Sequence, residues 1–332
     1  MTASAYFERW VRFWDQREPP TSLCATRALV GLALFGDLAQ ALCIGAHTAA
    51  FAPPPAGIGY GALGSNPPWA ARVFGASTET AHLLFYAALL SAPLFAAGLL
   101  FRVSGLVLAT ALTELAQFAP DGDRAIDKLL RLVVIVLLLS AAGNRWSLDA
   151  LIRRRLGRPA PSEAPAWPRY LLFAQLAWVY FSAAHNRSGR AWWPWGGFGA
   201  VSQILGDPHV SRFAPGFAAK LTPLPQIATA LTMLFEMSAP VMILVTFLDR
   251  HPEHGGRVGA FVRRFHVRWL WLTLGVCLHL GIALSMRLGV FPFGILALYP
   301  VLLHPEELER AVHWLRARLS PRAALAEPNR EG

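Results

Sequence analysis

The stretch SLCATRALVGLALFGDLAQALCI (22–44) decides the fold. Its 23 residues carry charge only at Arg27 and Asp37. At about 1.5 Å rise per residue, a helix of this length crosses the roughly 30 Å hydrocarbon core of a bilayer. The same reading recurs outward along the chain. Of 332 residues 55% are hydrophobic and 15% charged, and the mean hydropathy is +0.40. Soluble domains carry about 25% charged residues. This composition excludes an ordinary soluble enzyme and a disordered chain. It predicts an all-α, polytopic transmembrane helical bundle of about eight spans with interfacial helices, at 22–44, 79–101, 103–119, 125–142, 168–185, 225–248, 268–287 and 289–303. The last two form one apolar run too long for a single crossing, with Gly289, Pro292 and Gly294 to break it.

The domain plan follows. Residues 1–21 lack the continuous apolar run of a signal peptide and read as an amphipathic cytoplasmic segment, with Tyr6, Trp10 and Trp14 at helical spacing beside Arg9, Arg12 and Arg17. Residues 22–303 form the transmembrane domain, and 304–332 an amphipathic helix and tail. The net charge is +10. With eight crossings, 20 Lys and Arg fall on the side of the termini and 6 on the other. The positive-inside rule then puts both termini in the cytoplasm of a multi-pass inner-membrane protein. The basic excess is assigned to cytoplasmic loops and not to nucleic acid, and Arg153–Arg158 faces lipid headgroups. The outer segments 45–78 and 192–218 are too apolar for solvated loops and are expected to dip into the interface or cap the bundle, with Trp192, Trp193 and Trp195 at headgroup level.

Ionisable groups inside spans are costly and therefore informative. Asp37 and Glu236 lie mid-span, in LALFGDLAQAL and LTMLFEMSAPV. Arg27 is ten residues, or about 15 Å, from Asp37 and is not its nearest partner. Interhelical partners for the two carboxylates are sought in His185, Arg187, His279 and Arg287, with Glu236–Arg187 the first pair expected. Asp127 is expected to pair with Arg131 on one helix face, beside Arg124. Tyr180 joins Asp37, Glu236 and Arg287 as a cavity or ligand-binding residue, and His185, Arg187 and His279 are the candidate catalytic groups. Cys24, Cys43 and Cys277 form no C-x-x-C pair, which argues against a disulfide scaffold, a cysteine zinc site or an iron–sulfur cluster. His251 and His254 in DRHPEHGGR (249–257) read as a solvated cytoplasmic loop, so no metal site is expected. There is no zincin, nucleophile-elbow, phosphate-loop or dinucleotide motif.

Five segments in order resemble the HTTM domain, which vitamin K-dependent gamma-carboxylase shares with many bacterial membrane proteins. They are TRALVGLALFGDLAQ (26–40), GNRWSLDAL (143–151), WVYFSAAHNRSGRAWW (178–193), FEMSAPVMIL (235–244) and CLHLGIALSMRLGVFPFGILALYPVLL (277–303). In the carboxylase a Lys of the third segment is implicated as the base that deprotonates vitamin K hydroquinone. The corresponding residue here is Arg187, or Asn186 with a one-residue shift. Arginine stays protonated and is a poor base, which argues against gamma-carboxylation.

The resemblance to smaller bacterial members, such as the membrane protein of the sporulation-delaying toxin system, rests on His185 and Asp207-Pro208. It implies binding of an amphipathic ligand (a lipid, a quinone or a peptide) and a role, with a partner protein, in maturation or export of a small secreted peptide. A quinone or vitamin K-like molecule is the cofactor implied. Two alternatives stand beside it. One is a carboxylase-related membrane enzyme acting on a quinone-like substrate, with His185 or His279 as acid and base. The other is a transporter, against which the lack of an internal repeat counts. The topology is testable with reporter fusions: a fluorescent protein at the C-terminus should fluoresce and alkaline phosphatase there should be inactive, and the reverse pattern would remove one crossing.

Overall fold

The computed structural model describes residues 7–8, 10–11, 14–53, 56–57, 67–214 and 216–319. Tyr6, Arg9 and Arg12, much of the 45–78 segment and the tail beyond 319 lie outside the described residues. The protein is all-α and forms two compact units, residues 1–169 with 299–332, and residues 170–298.

The first unit contains α1 (Thr21–Cys43), α2 (Ala46–Phe51), α3 (Trp69–Phe74), α4 (Thr78–Ala97), α5 (Phe101–Phe118), α6 (Ala125–Leu139) and α7 (Leu148–Arg155). The helix α8 (Trp167–His185) begins there and runs into the second unit. That unit continues with α9 (Ala200–Gly206), α10 (Phe217–Lys220), α11 (Leu224–Arg250), α12 (Gly256–Arg264), α13 (Val267–Ser285) and α14 (Phe291–Leu296). A last helix, α15 (Pro305–Leu319), returns to the first unit. Among the described residues, α1, α4, α11 and α13 are each long and apolar enough to cross a membrane. The expected span at 289–303 is corrected. It forms the six-residue α14 and a 3-10 turn at Tyr299–Leu302. Gly289 adopts φ +56° and Pro292 and Pro300 supply no N–H, so no helix of crossing length forms. The irregular backbone is buried at Pro292, Gly294, Ile295 and Val301, where protein replaces lipid around it.

In the first unit α1 packs closely on α4. A Cβ at Gly31 would lie 2.7 Å from the Cβ of Ala96, so the two backbones touch and no larger residue fits. One turn earlier the guanidinium of Arg27 is wholly buried and donates from Nη2 to the carbonyl of Trp146 at 2.5 Å. Gly98 ends α4 in the left-handed conformation, φ +64°, and a Cβ there would fall 1.6 Å from Arg27 Nη1. The segment WSLD is folded around this point. Ser147 caps α7 by accepting from the N–H of Ala150 at 2.9 Å. Asp149 accepts from the N–H groups of Leu100 (2.9 Å) and Phe101 (2.8 Å) and donates its own N–H to the carbonyl of Gly98 at 3.0 Å. One short signature therefore satisfies the orphan N–H groups that open α5 and gives the buried cation an acceptor.

Several other charges of this unit are paired. Asp37 meets Arg124 at 2.5 Å, which corrects the expectation of a partner among His185, Arg187, His279 and Arg287. Asp127 also pairs with Arg124 (2.8 Å), not with Arg131. The reason is local. Asp127 accepts the Arg124 N–H at the start of α6, and Arg131 reaches back to Asp123 at 2.6 and 2.9 Å. Glu114 accepts from the N–H of Ala70 at 2.7 Å. Glu18, in the N-terminal segment, and Arg169, at the start of the expected 168–185 span, form a buried bidentate pair at 2.6 and 2.8 Å, beside a two-residue antiparallel ladder of Arg17–Glu18 with Ala164–Pro165. The start of α15 is tied to the start of α1. Thr21 donates to Glu309 at 2.7 Å, Arg145 contacts the same carboxylate, and Ser22 donates to the carbonyl of Leu303 at 3.3 Å.

In the second unit the 192–218 segment caps its helices. Val201 in α9 donates its N–H to Thr229 Oγ1 at 3.1 Å, and residues 210–212 pair with 285–287 through Arg212 N–H to Ser285 (2.9 Å) and Arg287 N–H to Val210 (2.7 Å). Leu205, Ala218 and Met286 form the small core beneath it.

The Asp149 cap is open to test. Asp149→Ala should lower thermal stability in detergent by about 1–2 kcal/mol, since a lost capping carboxylate costs this much. Asp149→Asn, which keeps an acceptor, should recover part of it, and wild-type melting in Asp149→Ala would remove the cap from the stabilising contacts.

Candidate functional site

The second unit holds two polar pairs within an aromatic framework. Three helices, α8, α11 and α13, supply them. Two thirds of the way along α8, Tyr180 presents its hydroxyl to His279 Nε2 of α13 at 2.8 Å, and both residues are buried. The phenol ring lies edge-on to Phe235 of α11 (4.8 Å between centroids) and to Trp271 of α13 (6.1 Å). Phe235 and Trp271 are stacked at 4.4 Å, and the indole N–H donates to the carbonyl of Phe235 (3.1 Å) and the hydroxyl of Ser238 (3.2 Å). This stack locks α11 to α13 and sets the height of His279, two turns beyond Trp271, against Tyr180.

The residue after Phe235 is Glu236, buried to 6% exposure. Helical geometry turns it about 100° from Phe235, out of the aromatic stack. Its carboxylate receives the guanidinium of Arg187. Nη2 donates to Oε1 at 2.8 Å and Nη1 contacts Oε2. Arg187 lies just past the end of α8, and its guanidinium also covers the ring of Trp192 at 4.0 Å. Trp193 donates its indole N–H to the Arg187 carbonyl at 3.1 Å and stacks on Trp195 at 5.3 Å. The cation is thus held by a carboxylate on one side and an aromatic face on the other. Pro240, one turn after Glu236, has no N–H to give to the Glu236 carbonyl, so the α11 ladder is interrupted beside the ion pair.

The structure sorts the candidate residues. Tyr180 with His279 and Arg187 with Glu236 come together as pairs. His185 is exposed and stacks on Phe181 at 5.9 Å. Arg287 is exposed and contributes its backbone N–H to Val210. Asp37 belongs to the first unit and to Arg124. Asn186, the alternative to Arg187, donates its side chain to the Ser182 carbonyl at 2.8 Å. Sequence reasoning missed Phe235, Trp271 and the seating of Arg187 on Trp192. The signal was present in the aromatic neighbour of a mid-span glutamate and in the indole cluster five residues after Arg187, but neither names its partner.

Chemically, a phenol bonded to an imidazole can pass a proton in either direction, since each group has both a donor and an acceptor. The arginine cannot act as a base. It is suited to hold an anionic or carbonyl oxygen that enters beside it, in exchange for part of its contact with Glu236. The pair itself is testable. Arg187→Gln and Glu236→Gln should each destabilise the protein, by about 3–5 kcal/mol at most, because the survivor is left charged in a low-dielectric site. The double substitution should cost less than the sum of the two, and additivity would show that the side chains are uncoupled.

Comparison with known proteins agrees with this architecture. No curated protein and no solved structure matches the chain. The HTTM domain matches residues 16–250, which is more than half the chain and takes in Arg27, Trp146, Asp149, Tyr180, Arg187 and Glu236, while His279 and Arg287 lie beyond the match. On that match, and with four helices able to cross a bilayer, the chain is a membrane protein that belongs to the HTTM domain family.

Proposed function

We propose that this HTTM protein binds an amphipathic ligand of the membrane, a lipid, a quinone or a membrane-associated peptide, at the polar pairs of its second unit. In its concrete form the reading makes it a multi-pass inner-membrane protein that works with a partner in maturing or exporting a small secreted peptide. The observation that carries the proposal is the buried juxtaposition on α11 of an aromatic stack (Phe235, Trp271, Tyr180) and an ion pair (Glu236, Arg187) at adjacent residues. An amphipathic molecule offers the same two faces, an apolar body and a polar head. The anchoring of Leu303 and Glu309 to Ser22 and Thr21 supports an orientation with both termini on one side. The basic helix α7, with Leu151 and Ile152 exposed beside Arg153, Arg154 and Arg155, suits anionic headgroups on that side.

A second reading has one observation in its favour. The Tyr180–His279 hydrogen bond is a ready proton-transfer pair, which favours a membrane enzyme acting on a quinone-like substrate. Gamma-carboxylation is the disfavoured form, because the residue in the place of the family's lysine is an arginine already committed to Glu236.

Mass spectrometry of the detergent-solubilised protein tests both readings. A stoichiometric lipid, quinone or peptide should co-purify with the wild type and be depleted from Arg187→Gln/Glu236→Gln. A protein free of any such molecule, from membranes rich in quinone, would remove the ligand-binding proposal. With vitamin K hydroquinone and a glutamate peptide, no carbon dioxide should be incorporated, and turnover would overturn that exclusion.

A further inference from the structure

Outside the helical core, the turn between α11 and α12 brings three potential metal ligands to one point. The sequence reads this turn as plain solvated loop, yet Glu253 Oε1 lies 3.2 Å from His251 Nδ1 and 3.1 Å from His254 Nδ1. The ligand atoms of all three residues lie within 4.8 Å of one another. We propose that His251, Glu253 and His254 form a binding site for a borderline divalent transition-metal ion of the zinc class.

The spacing carries the argument. Zinc binds imidazole nitrogen at about 2.0–2.1 Å and carboxylate oxygen at about 2.0–2.2 Å, so donors around a tetrahedral ion stand roughly 3.4 Å apart. The two His–Glu distances are within 0.3 Å of that edge. The third pair of ligand atoms, on His251 and His254, lies within 4.8 Å. Donor chemistry sets the class. Two imidazoles and one carboxylate suit zinc, nickel, cobalt or copper, and are a poor match for calcium or magnesium, which take mainly oxygen.

The turn is also braced from beneath. Arg263 of α12 donates to the carbonyls of Leu248 (2.8 Å) and Pro252 (3.4 Å), on either side of His251. Phe247 packs its ring against both imidazoles, at 4.6 Å from His251 and 5.6 Å from His254. Gly255 follows at φ +82°, a conformation that returns the chain into α12 and that a residue with a Cβ adopts only under strain. Asp249 is held apart from the ligands by Arg268 at 2.9 Å. The three side chains thus converge on a supported turn and leave the remaining coordination positions to solvent, or to a ligand from a partner.

The test uses the full chain in detergent, carrying an affinity tag without histidine and stripped with a chelator. Cobalt(II) titration should give one saturable equivalent with visible absorption of a low-coordinate ion, displaced by zinc, and zinc should raise the melting temperature. His251→Gln/His254→Gln should abolish the absorption and the shift. Glu253→Gln should weaken binding about tenfold or more. The exposed His209→Gln should leave both readouts unchanged. Absence of saturable binding by the wild type, equal binding by the double histidine variant, or loss of binding in His209→Gln would overturn the proposal.

Discussion

Charge placed among apolar helices has to be neutralised or hydrogen-bonded, and this constraint organises the protein. Five ionic groups on or beside the helices each have a partner fixed by another element, although Arg27 leaves Nε and Nη1 without a hydrogen bond. Arg27 has the Trp146 carbonyl, Asp37 has Arg124, Glu114 has the Ala70 N–H, Arg169 has Glu18, and Glu236 has Arg187. Isolated, any of them would cost several kcal/mol or change its protonation. Because the partners come from distant parts of the chain, the pairs act as registry marks. They reward one packing of the helices and penalise slips that apolar contacts alone would tolerate.

The first unit shows how such marks combine with small residues. Gly31 brings α1 against α4, and Gly98 makes room for the Arg27 side chain at the α4–α5 corner. The WSLD turn then supplies, within four residues, an acceptor for Arg27, a cap for α7 and a cap for the first turn of α5. A cation in the first span and an aspartate more than a hundred residues later are therefore parts of one corner. Two segments within the HTTM match, 26–40 and 143–151, thus have one physical role.

The second unit meets the same constraint beside an aromatic stack. Adjacent residues on α11 look in different directions, Phe235 toward the Trp271–Tyr180 stack and Glu236 toward Arg187. The result is an apolar wall beside a neutralised ion pair, with a phenol–imidazole bond on the same wall. The cation of Arg187 stays protonated and cannot take a proton, so within this unit it serves as a hydrogen-bond donor to Glu236.

The sequence by itself determined the all-α membrane class, because apolar length and low charge leave no other way to satisfy the backbone in hydrocarbon. It also singled out Tyr180, Arg187, Glu236 and His279, since ionisable and polar groups within apolar runs stand out locally. Tertiary structure alone decided the partners. Asp37 went to Arg124 and Asp127 left Arg131, because capping at the start of α6 and a reach back to Asp123 outcompeted simple helical spacing. Glu18 and Arg169, one in the N-terminal segment and one 151 residues later, became a buried pair that local sequence does not announce. His185 turned outward at the end of α8, whose phase is set by Tyr180 meeting His279, and Arg287 lies past the end of α13, where the backbone is extended and pairs with Val210. The 289–303 run folded into short pieces, since two prolines and a left-handed glycine outweigh its hydrophobicity. Residue type and spacing fix which groups need partners, but long-range pairing depends on which helix faces meet, and that is a property of the packed bundle.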